Sequence, residues 1–360
     1  MSEVLKQANG KNWTAYNGDS CEVIKAFPDN SIDFSVYSPP FANLYIYSDS
    51  MADMGNCEDM DEFIRHYEYL LREMHRVTVT GRLTAVHCKD LPLYFNRDGA
   101  AGLVDFPGKI VAAHERTGWT FHSRVTIWKC PVTERERTNN HGLLHKTVCK
   151  DSSGIRQGMA DFVLVFRKVG ENLLSDKPIA RPKGFTRYVG DPSQDPRTTD
   201  YHPSKYARHR KSTTADVAAV EDDLPADLPV TDGHGRKARK LTASIDVWRR
   251  YAEPVWWDIN QTDVLNFKLG RDTGDERHIC PLQLGVIRRS VELWSNPGDV
   301  VFTPFLGVGS EGYVALQEGR KAVGIELKES YFDLACLHMR QAESEAMRKE
   351  KSLFAEESTA

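Results

Sequence analysis

The stretch Asp299-Val300-Val301-Phe302-Thr303-Pro304-Phe305-Leu306-Gly307-Val308-Gly309-Ser310 decides the fold. Its apolar start, Asp299 to Phe302, follows the turn Asn296-Pro297-Gly298 and reads as a strand; a helix is predicted from about Ser310 to Glu318 and a second strand over Ala322 to Ile325. Strand, glycines, helix, and a strand tipped by Glu326 form one α/β unit. The glycines let the backbone approach a ligand closely, and an acid at the next strand tip can accept both hydroxyls of a ribose. The third phosphate-binding glycine is missing, and Glu311 at the helix start would repel a pyrophosphate. A nucleoside carrying no phosphate, such as S-adenosylmethionine, fits better. The same turn can also serve plain packing, so it needs a second constellation beside it.

Outward from this stretch the alternation of short apolar runs and amphipathic segments continues, which favours a parallel sheet covered by helices. Strands are predicted over Ile32 to Tyr37, from Leu83 to His87, over Phe121 to Lys129 and over Phe162 to Lys168. Helices are predicted over Asp61 to Val77, ended by Gly81, and over Phe106 to Thr117, Cys280 to Trp294 and Ser330 to about Glu345. From Glu171 to Ser244 the composition changes: prolines recur, Glu221-Asp222-Asp223 and two basic clusters stand close together, and no apolar period survives. This divides the chain into residues 1–170, an insertion at 171–245 that is partly flexible, residues 246–345, and a frayed tail at 346–360.

The 360 residues are 40% hydrophobic and 27% charged, the balance of a soluble globular chain with room for a large domain and an insertion. No run of about 18 apolar residues offers a membrane span, and Met1 to Gly18 carries polar residues where a leader needs apolar ones. A cytoplasmic location is expected. Seven cysteines without a C-x-x-C pair suggest neither a disulfide framework nor a zinc site, and no metal is expected. With a formal net charge of -4, the global field repels a polyanion, so any nucleic-acid binding must come from local basic patches.

The second constellation is Ser38-Pro39-Pro40-Phe41 at the carboxyl end of the first predicted strand. Each proline restricts the residue before it, so the backbone is held extended and the Pro39 carbonyl has a fixed direction. The Ser38 hydroxyl and that carbonyl can hold the two hydrogens of an exocyclic amine, while Phe41 offers a face to a planar base. Alone, the tetrapeptide is also an ordinary turn ending a strand.

Together the two constellations resemble the amino-group DNA methyltransferases that modify N4 of cytosine or N6 of adenine. Asn17-Gly18-Asp19, Asn30-Ser31-Ile32-Asp33 and Ser38-Pro39-Pro40-Phe41 look like the family's catalytic segment, whose signature is [DNS]-P-P-[YFW]. Arg72 to Val77 with Gly81-Arg82-Leu83, and Gly118-Trp119 through Trp128-Lys129, look like its later elements. His278-Ile279-Cys280-Pro281-Leu282-Gln283, Pro297 to Val301 and Pro304 to Ser310 resemble its cofactor segments. Catalytic segment first and cofactor segment last is the order of the family's β group, and the resemblance covers about residues 14 to 170 and 246 to 340. It implies a Rossmann-like, S-adenosylmethionine-dependent methyltransferase fold of the α/β class. That means a mostly parallel sheet with helices on both faces, a circularly permuted motif order and an inserted target-recognition region. Thr303 stands where the family usually has an acid, so the methionine part of the cofactor must be held from elsewhere.

Carried over by matching positions, the resemblance makes Ser38, Pro39, Pro40 and Phe41 catalytic. It makes Asp19, His278, Pro281, Gln283, Pro304, Phe305, Gly307, Gly309, Ser310 and Glu326 cofactor-binding. It implies double-stranded DNA as partner, with the target base flipped out of the stack, and a restriction-modification or phage setting. Ser38 tilts the expected target toward N4 of cytosine, with N6 of adenine as alternative. A degenerate DNA-binding module without turnover, and a methyltransferase acting on an amine of RNA or protein, stay open, as do monomer and homodimer. DNA contacts are expected from the insertion and from the loop Glu134 to Gly158. In that loop Arg135, Arg137, Asn139, Asn140, His141, Lys146 and Arg156 can meet phosphates or base edges.

Overall fold

In the computed structural model, which describes residues 4–40, 54, 57, 59–132, 134, 156–170, 251–267 and 281–357, the chain enters through an antiparallel hairpin. Its strands are β1 (Lys6–Asn9) and β2 (Trp13–Asn17). The periodicity predicted neither: β1 is polar and mostly exposed, and only β2 alternates, burying Trp13, Ala15 and Asn17. A one-turn helix, α1 (Ser20–Val23), is capped by the Asp19 carboxylate and leads to β3 (Ile32–Tyr37), which has the predicted bounds.

Helix α2 (Met60–Val77) buries Phe63, Ile64, Tyr67, Leu70, Leu71, Met74 and Val77 along one face. The Asp59 carboxylate accepts from the Glu62 amide at its start, at 2.8 Å. Gly81 does not end this helix. The chain passes directly from Val77 into β4 (Thr78–Lys89), and Gly81, at φ 82°, sits inside that strand. There the β3 pairing shifts from Ile32 opposite Thr78 to Phe34 opposite Leu83. More residues on β4 than on β3 make this a bulge, and the left-handed backbone of Gly81 serves it. A small hairpin of β5 (Leu91–Leu93) and β6 (Gly102–Val104) follows, with α3 (Phe95–Asp98) between its strands. Then come α4 (Phe106–Arg116), β7 (Trp119–Ile127) and β8 (Asp161–Lys168).

Toward the carboxyl end lie α5 (Leu284–Trp294), β9 (Val300–Thr303), α6 (Ser310–Gln317), β10 (Lys321–Glu326) and α7 (Glu329–Glu357). Helix α7 continues well past Glu345, where its predicted end lay. The main sheet runs β1-β2-β10-β9-β3-β4-β8-β7. Strands β2, β10, β9, β3 and β4 are parallel, and β8 is antiparallel to both of its neighbours. Helices cover both faces. Helices α1, α2 and α4 share a core with Phe302, Ile325, Val86, Leu164 and Phe166. On the opposite face Trp294 of α5 packs on Phe34, with ring centroids 6.2 Å apart.

The chain divides into two compact units, Met1–Pro178 joined by Ile259–Ala360, and Ile179–Asp258. In the second, Val255–Trp256 forms a short strand, and Trp256 is buried. Among the described residues, no helix is long and apolar enough to cross a membrane.

Candidate active site

Residues from the two ends of the chain meet because β3 and β9 are neighbours. They pair in parallel, Val301 opposite Phe34 and Phe302 opposite Ser35. Their carboxyl ends, Tyr37-Ser38 and Thr303-Pro304, therefore emerge side by side. Strand β3 leads to β4 on one side of this pair and β9 leads to β10 on the other, so the strand order reverses between them. In open α/β sheets that reversal opens a crevice where ligands bind. The turns touch directly: the buried Tyr37 ring lies 5.8 Å from that of Phe305, and the Tyr37 hydroxyl is fixed to Tyr67 of α2 at 2.8 Å.

The glycine turn is braced from three sides. The Leu306 amide donates to the Ile325 carbonyl at 2.8 Å. His338 of α7 donates from Nδ1 to the Val308 carbonyl at 2.7 Å, and the Ser20 hydroxyl donates to the Pro304 carbonyl. Gly309, at φ 92°, caps α6, and a Cβ there would stand 3.0 Å from Cα of Ala335, so this glycine serves close packing of α6 on α7. Gly307 differs. Its φ of 53° also favours glycine, but a Cβ there would meet nothing within 4 Å, leaving open space above the turn. The Glu326 carboxylate is aimed at this turn, accepting from the Gly307 amide at 2.7 Å and the Lys328 amide at 2.9 Å. Each oxygen keeps acceptor capacity for a hydroxyl.

Asn17-Gly18-Asp19 closes the other wall: the Gly18 amide and the Asn17 side chain both donate to the Glu326 carbonyl. Asp19 is half-buried, which raises its carboxyl pKa, and one of its oxygens holds the Cys21 amide at 2.9 Å. Open space over Gly307, an oriented acid and a backbone that reaches the edge together fit a nucleoside. The Thr303 hydroxyl is turned onto its own loop, accepting from the Phe305 amide at 3.4 Å.

Glu311 behaves differently from its sequence reading. It is 5% exposed in the first turn of α6, and burial pushes its carboxyl up to about 8, so at neutral pH it is mostly uncharged. Its predicted repulsion of a phosphate therefore loses its charge.

On the other side of the crevice Ser38 is held by a residue the sequence reading passed over. The Ser38 hydroxyl lies 3.3 Å from Nδ1 of His87 and donates to the His87 carbonyl at 3.2 Å. Nε2 of His87 meets Oδ2 of Asp161 at 3.1 Å, and Nζ of Lys129 meets the same oxygen at 2.6 Å. All three are nearly buried. Burial opposes ionisation of Asp161, but the hydrogen bonds from His87 and Lys129, with the charge of the Lys129 ammonium, outweigh it and hold the carboxyl well below the usual range. The topology explains the cluster. His87 lies near the end of β4, Lys129 follows β7, and Asp161 begins the antiparallel β8, so all three come to the edge of the sheet where Ser38 follows β3.

The family model described as DNA methylase, for N6 and N4 methyltransferases, matches residues 32–336. The chain belongs to the DNA methylase family. Among relatives, type II methyltransferase M.Cfr9I of Citrobacter freundii is 35% identical over 71 residues, 20% of this chain and 24% of the relative. The match thus spans about a quarter of that protein's length. Among solved structures, TTHA0409 of Thermus thermophilus complexed with S-adenosyl-L-methionine superposes with a TM-score of 0.56 at 19% identity, covering 92% of this chain and 93% of that one. PvuII DNA methyltransferase (cytosine-N4-specific) gives 0.54 at 15% identity, covering 93% and 90%. At these identities the structures show the fold: the chain has the Rossmann-like architecture read from its sequence.

Of the residues read as functional, the fold sets Ser38, Pro39, Pro40, Asp19, Pro304, Phe305, Gly307 and Glu326 around one crevice, while Gly309 packs α6 on α7. Ser310 opens α6 with a buried hydroxyl that has no partner among the described residues. Pro281 precedes Gln283, which stands at the N-cap position of α5 with a buried side chain that makes no capping bond, and no hydrogen bond among the described residues links either to the Gly307 turn. Arg156 is half-buried, and its charge acts on Asp90. Phe41, His278, Arg135, Arg137, Asn139, Asn140, His141 and Lys146 lie outside the described residues. His87, Asp161, Lys129 and His338 were not singled out. Each bounds or lines an element, and only strand pairing reveals what it faces.

Proposed function

We propose that the protein is an S-adenosylmethionine-dependent DNA methyltransferase acting on the exocyclic amine of a base flipped from duplex DNA, N4 of cytosine being the target. The observation that carries this reading is the parallel pairing of β3 with β9, which sets the Ser38-Pro39-Pro40 turn against the Gly307 turn. Glu326 holds the ribose hydroxyls, the open backbone at Gly307 lets the nucleoside lie close, and the lining from Asn17 to Asp19 closes that side. When bound there, the cofactor would supply an electrophilic methyl on a positively charged sulfur, which can keep the C–S electron pair when the methyl leaves for the amine.

The chain's own contribution is placement and charge. The Ser38 hydroxyl and the Pro39 carbonyl accept the amine hydrogens, drawing the nitrogen toward tetrahedral geometry and aiming its lone pair at the methyl. These hydrogen bonds strengthen as the nitrogen becomes positive. Phe41 stacks on the extruded base. Support for cytosine comes from Ser38 at the first motif position and from the likeness to PvuII DNA methyltransferase (cytosine-N4-specific). The Arg, Lys, His and Asn residues of 135–146 supply local positive charge and base-edge contacts that a net charge of -4 does not.

Mass spectrometry of nucleosides from duplex DNA incubated with the protein and cofactor tests the reading. N4-methylcytosine is expected. N6-methyladenine would reassign the target, and label found in RNA or protein but never in DNA would replace the substrate class. Cofactor binding without transfer to any of them would leave a degenerate binding module.

A further inference from the structure

Ser38 is neutral, and a hydroxyl alone is a poor sink for the proton that a methylated amine must lose. Its surroundings supply one. Asp161 is ionised and accepts only, so the bond between its Oδ2 and Nε2 of His87 places the imidazole hydrogen on Nε2. In neutral imidazole Nδ1 is then a bare acceptor, and it faces the Ser38 hydroxyl at 3.3 Å. The single hydrogen of that hydroxyl has two acceptors on His87, Nδ1 and the carbonyl oxygen at 3.2 Å, which leaves lone pairs of Oγ for the substrate amine. Lys129 keeps the third member charged: Nζ and Nε2 share Oδ2 of Asp161, at 2.6 and 3.1 Å, so the carboxylate does not take the proton from the ring.

We infer that His87, oriented by Asp161 and Lys129, accepts through Ser38 the proton that the target amine gives up on methylation. The inference rests on the methyltransferase reading above and extends it to the fate of the proton. As the N–C bond forms, the nitrogen becomes positive and one of its hydrogens passes to Oγ of Ser38. The hydrogen of Ser38 passes in the same event to Nδ1 of His87. The product amine is neutral, Ser38 is regenerated as a hydroxyl, and the imidazolium is stabilised by Asp161 until the proton returns to solvent after product leaves. No covalent enzyme intermediate forms. Ser38 is the catalytic residue, and His87 and Asp161 act through it.

Two measurements test this. Nitrogen-15 NMR of histidine-labelled protein, with His87 assigned by its loss in His87→Gln, reads the tautomer without turnover. Hydrogen on Nε2 is expected in wild type, with a shift toward Nδ1 in Asp161→Asn, whose amide can donate to Nε2. Hydrogen on Nδ1 in the wild type overturns the proposal. In single turnover, His87→Gln and Asp161→Asn should bind cofactor within about twofold of wild type yet transfer methyl more slowly by on the order of 100-fold. Because the effect passes through Ser38, His87→Gln should cost little further in a Ser38→Ala background. Should His87→Gln fail to fold, His87→Asn with the same readouts replaces it. Transfer within about threefold of wild type, or an equal loss in both backgrounds, overturns the relay while the methyltransferase reading stands. A folded wild type that methylates no DNA overturns both.

Discussion

Glu311 shows how one side chain couples the site to stability. An acid in the first turn of a helix is ordinarily favoured as an anion, because the helix amino terminus carries partial positive charge. Here burial dominates and the nearby Glu326 adds to it, so the folded carboxyl titrates at about 8 against 4.5 for the free group. The folded state therefore holds a proton that the unfolded chain releases above about pH 4.5. Stability must fall as pH rises through this window and level off above about 8. Glu311→Gln keeps the shape and removes the titration. At pH 4 and below the variant and wild type should melt together. The variant should then gain steadily toward pH 8, reaching a few kcal/mol, since each pKa unit is about 1.4 kcal/mol. Thermal melts across pH 4 to 9 read this directly, and a difference in melting temperature that ignores pH would mean that Glu311 ionises normally.

At the scale of elements, the bulge in β4 places Arg82 where the amino ends of three strands meet. Its guanidinium lies 3.2 Å from Asp299, just before β9, and 3.6 Å from Asp33 of β3. Asp33 also accepts from the Val300 amide at 2.9 Å, and the Asp299 side chain is almost fully buried. Removing one member of a buried charge cluster strands the others, at about 3 to 5 kcal/mol. Arg82→Met should lower the melting temperature by about 6 °C. It should leave cofactor affinity of the folded protein unchanged, because the cluster sits at the opposite edge of the sheet from Ser38 and Gly307. Calorimetry and a binding titration measure the two halves, and an unchanged melting temperature would sink the assignment. The bulge was also the point where sequence reasoning misjudged Gly81. A glycine after an amphipathic run commonly ends a helix, and nothing local distinguishes that use from a left-handed residue inside a strand. Where periodicity was strong, in α2 and β3, the bounds agree closely. Where strands are polar, as in β1, or only three residues long, as in β5 and β6, no alternation existed to be read.

For the whole molecule, the sequence carried the two halves of the site but not the pairing that joins them. Ser38-Pro39-Pro40 and the Gly307 turn were legible because prolines and glycines constrain the backbone locally. The relay of His87, Asp161 and Lys129 was not, since it depends on an antiparallel strand entering between β4 and β7, and periodicity says nothing of which strands are neighbours. That same pairing makes the fold non-local. Strands β9 and β10, from near one terminus, occupy the middle of the sheet, bonded to β3 on one side and to β2 on the other. Fragment 1–178 alone would lack its central strands, leaving the edges of β2 and β3 unpaired; fragment 259–360 alone would expose both edges of a two-stranded pair. Unpaired apolar edges favour aggregation over folding. Both segments nevertheless form one compact unit in the intact chain. Expressed separately, 1–178 and 259–360 should each be insoluble or unfolded by circular dichroism. Co-expressed without 179–258, they should copurify as one folded species that binds S-adenosylmethionine, since Asp19, Ser38, Gly307 and Glu326 are then all present. A fragment 1–178 that folds cooperatively on its own would show that β9 and β10 are dispensable to the sheet, contrary to the register that places them at its centre.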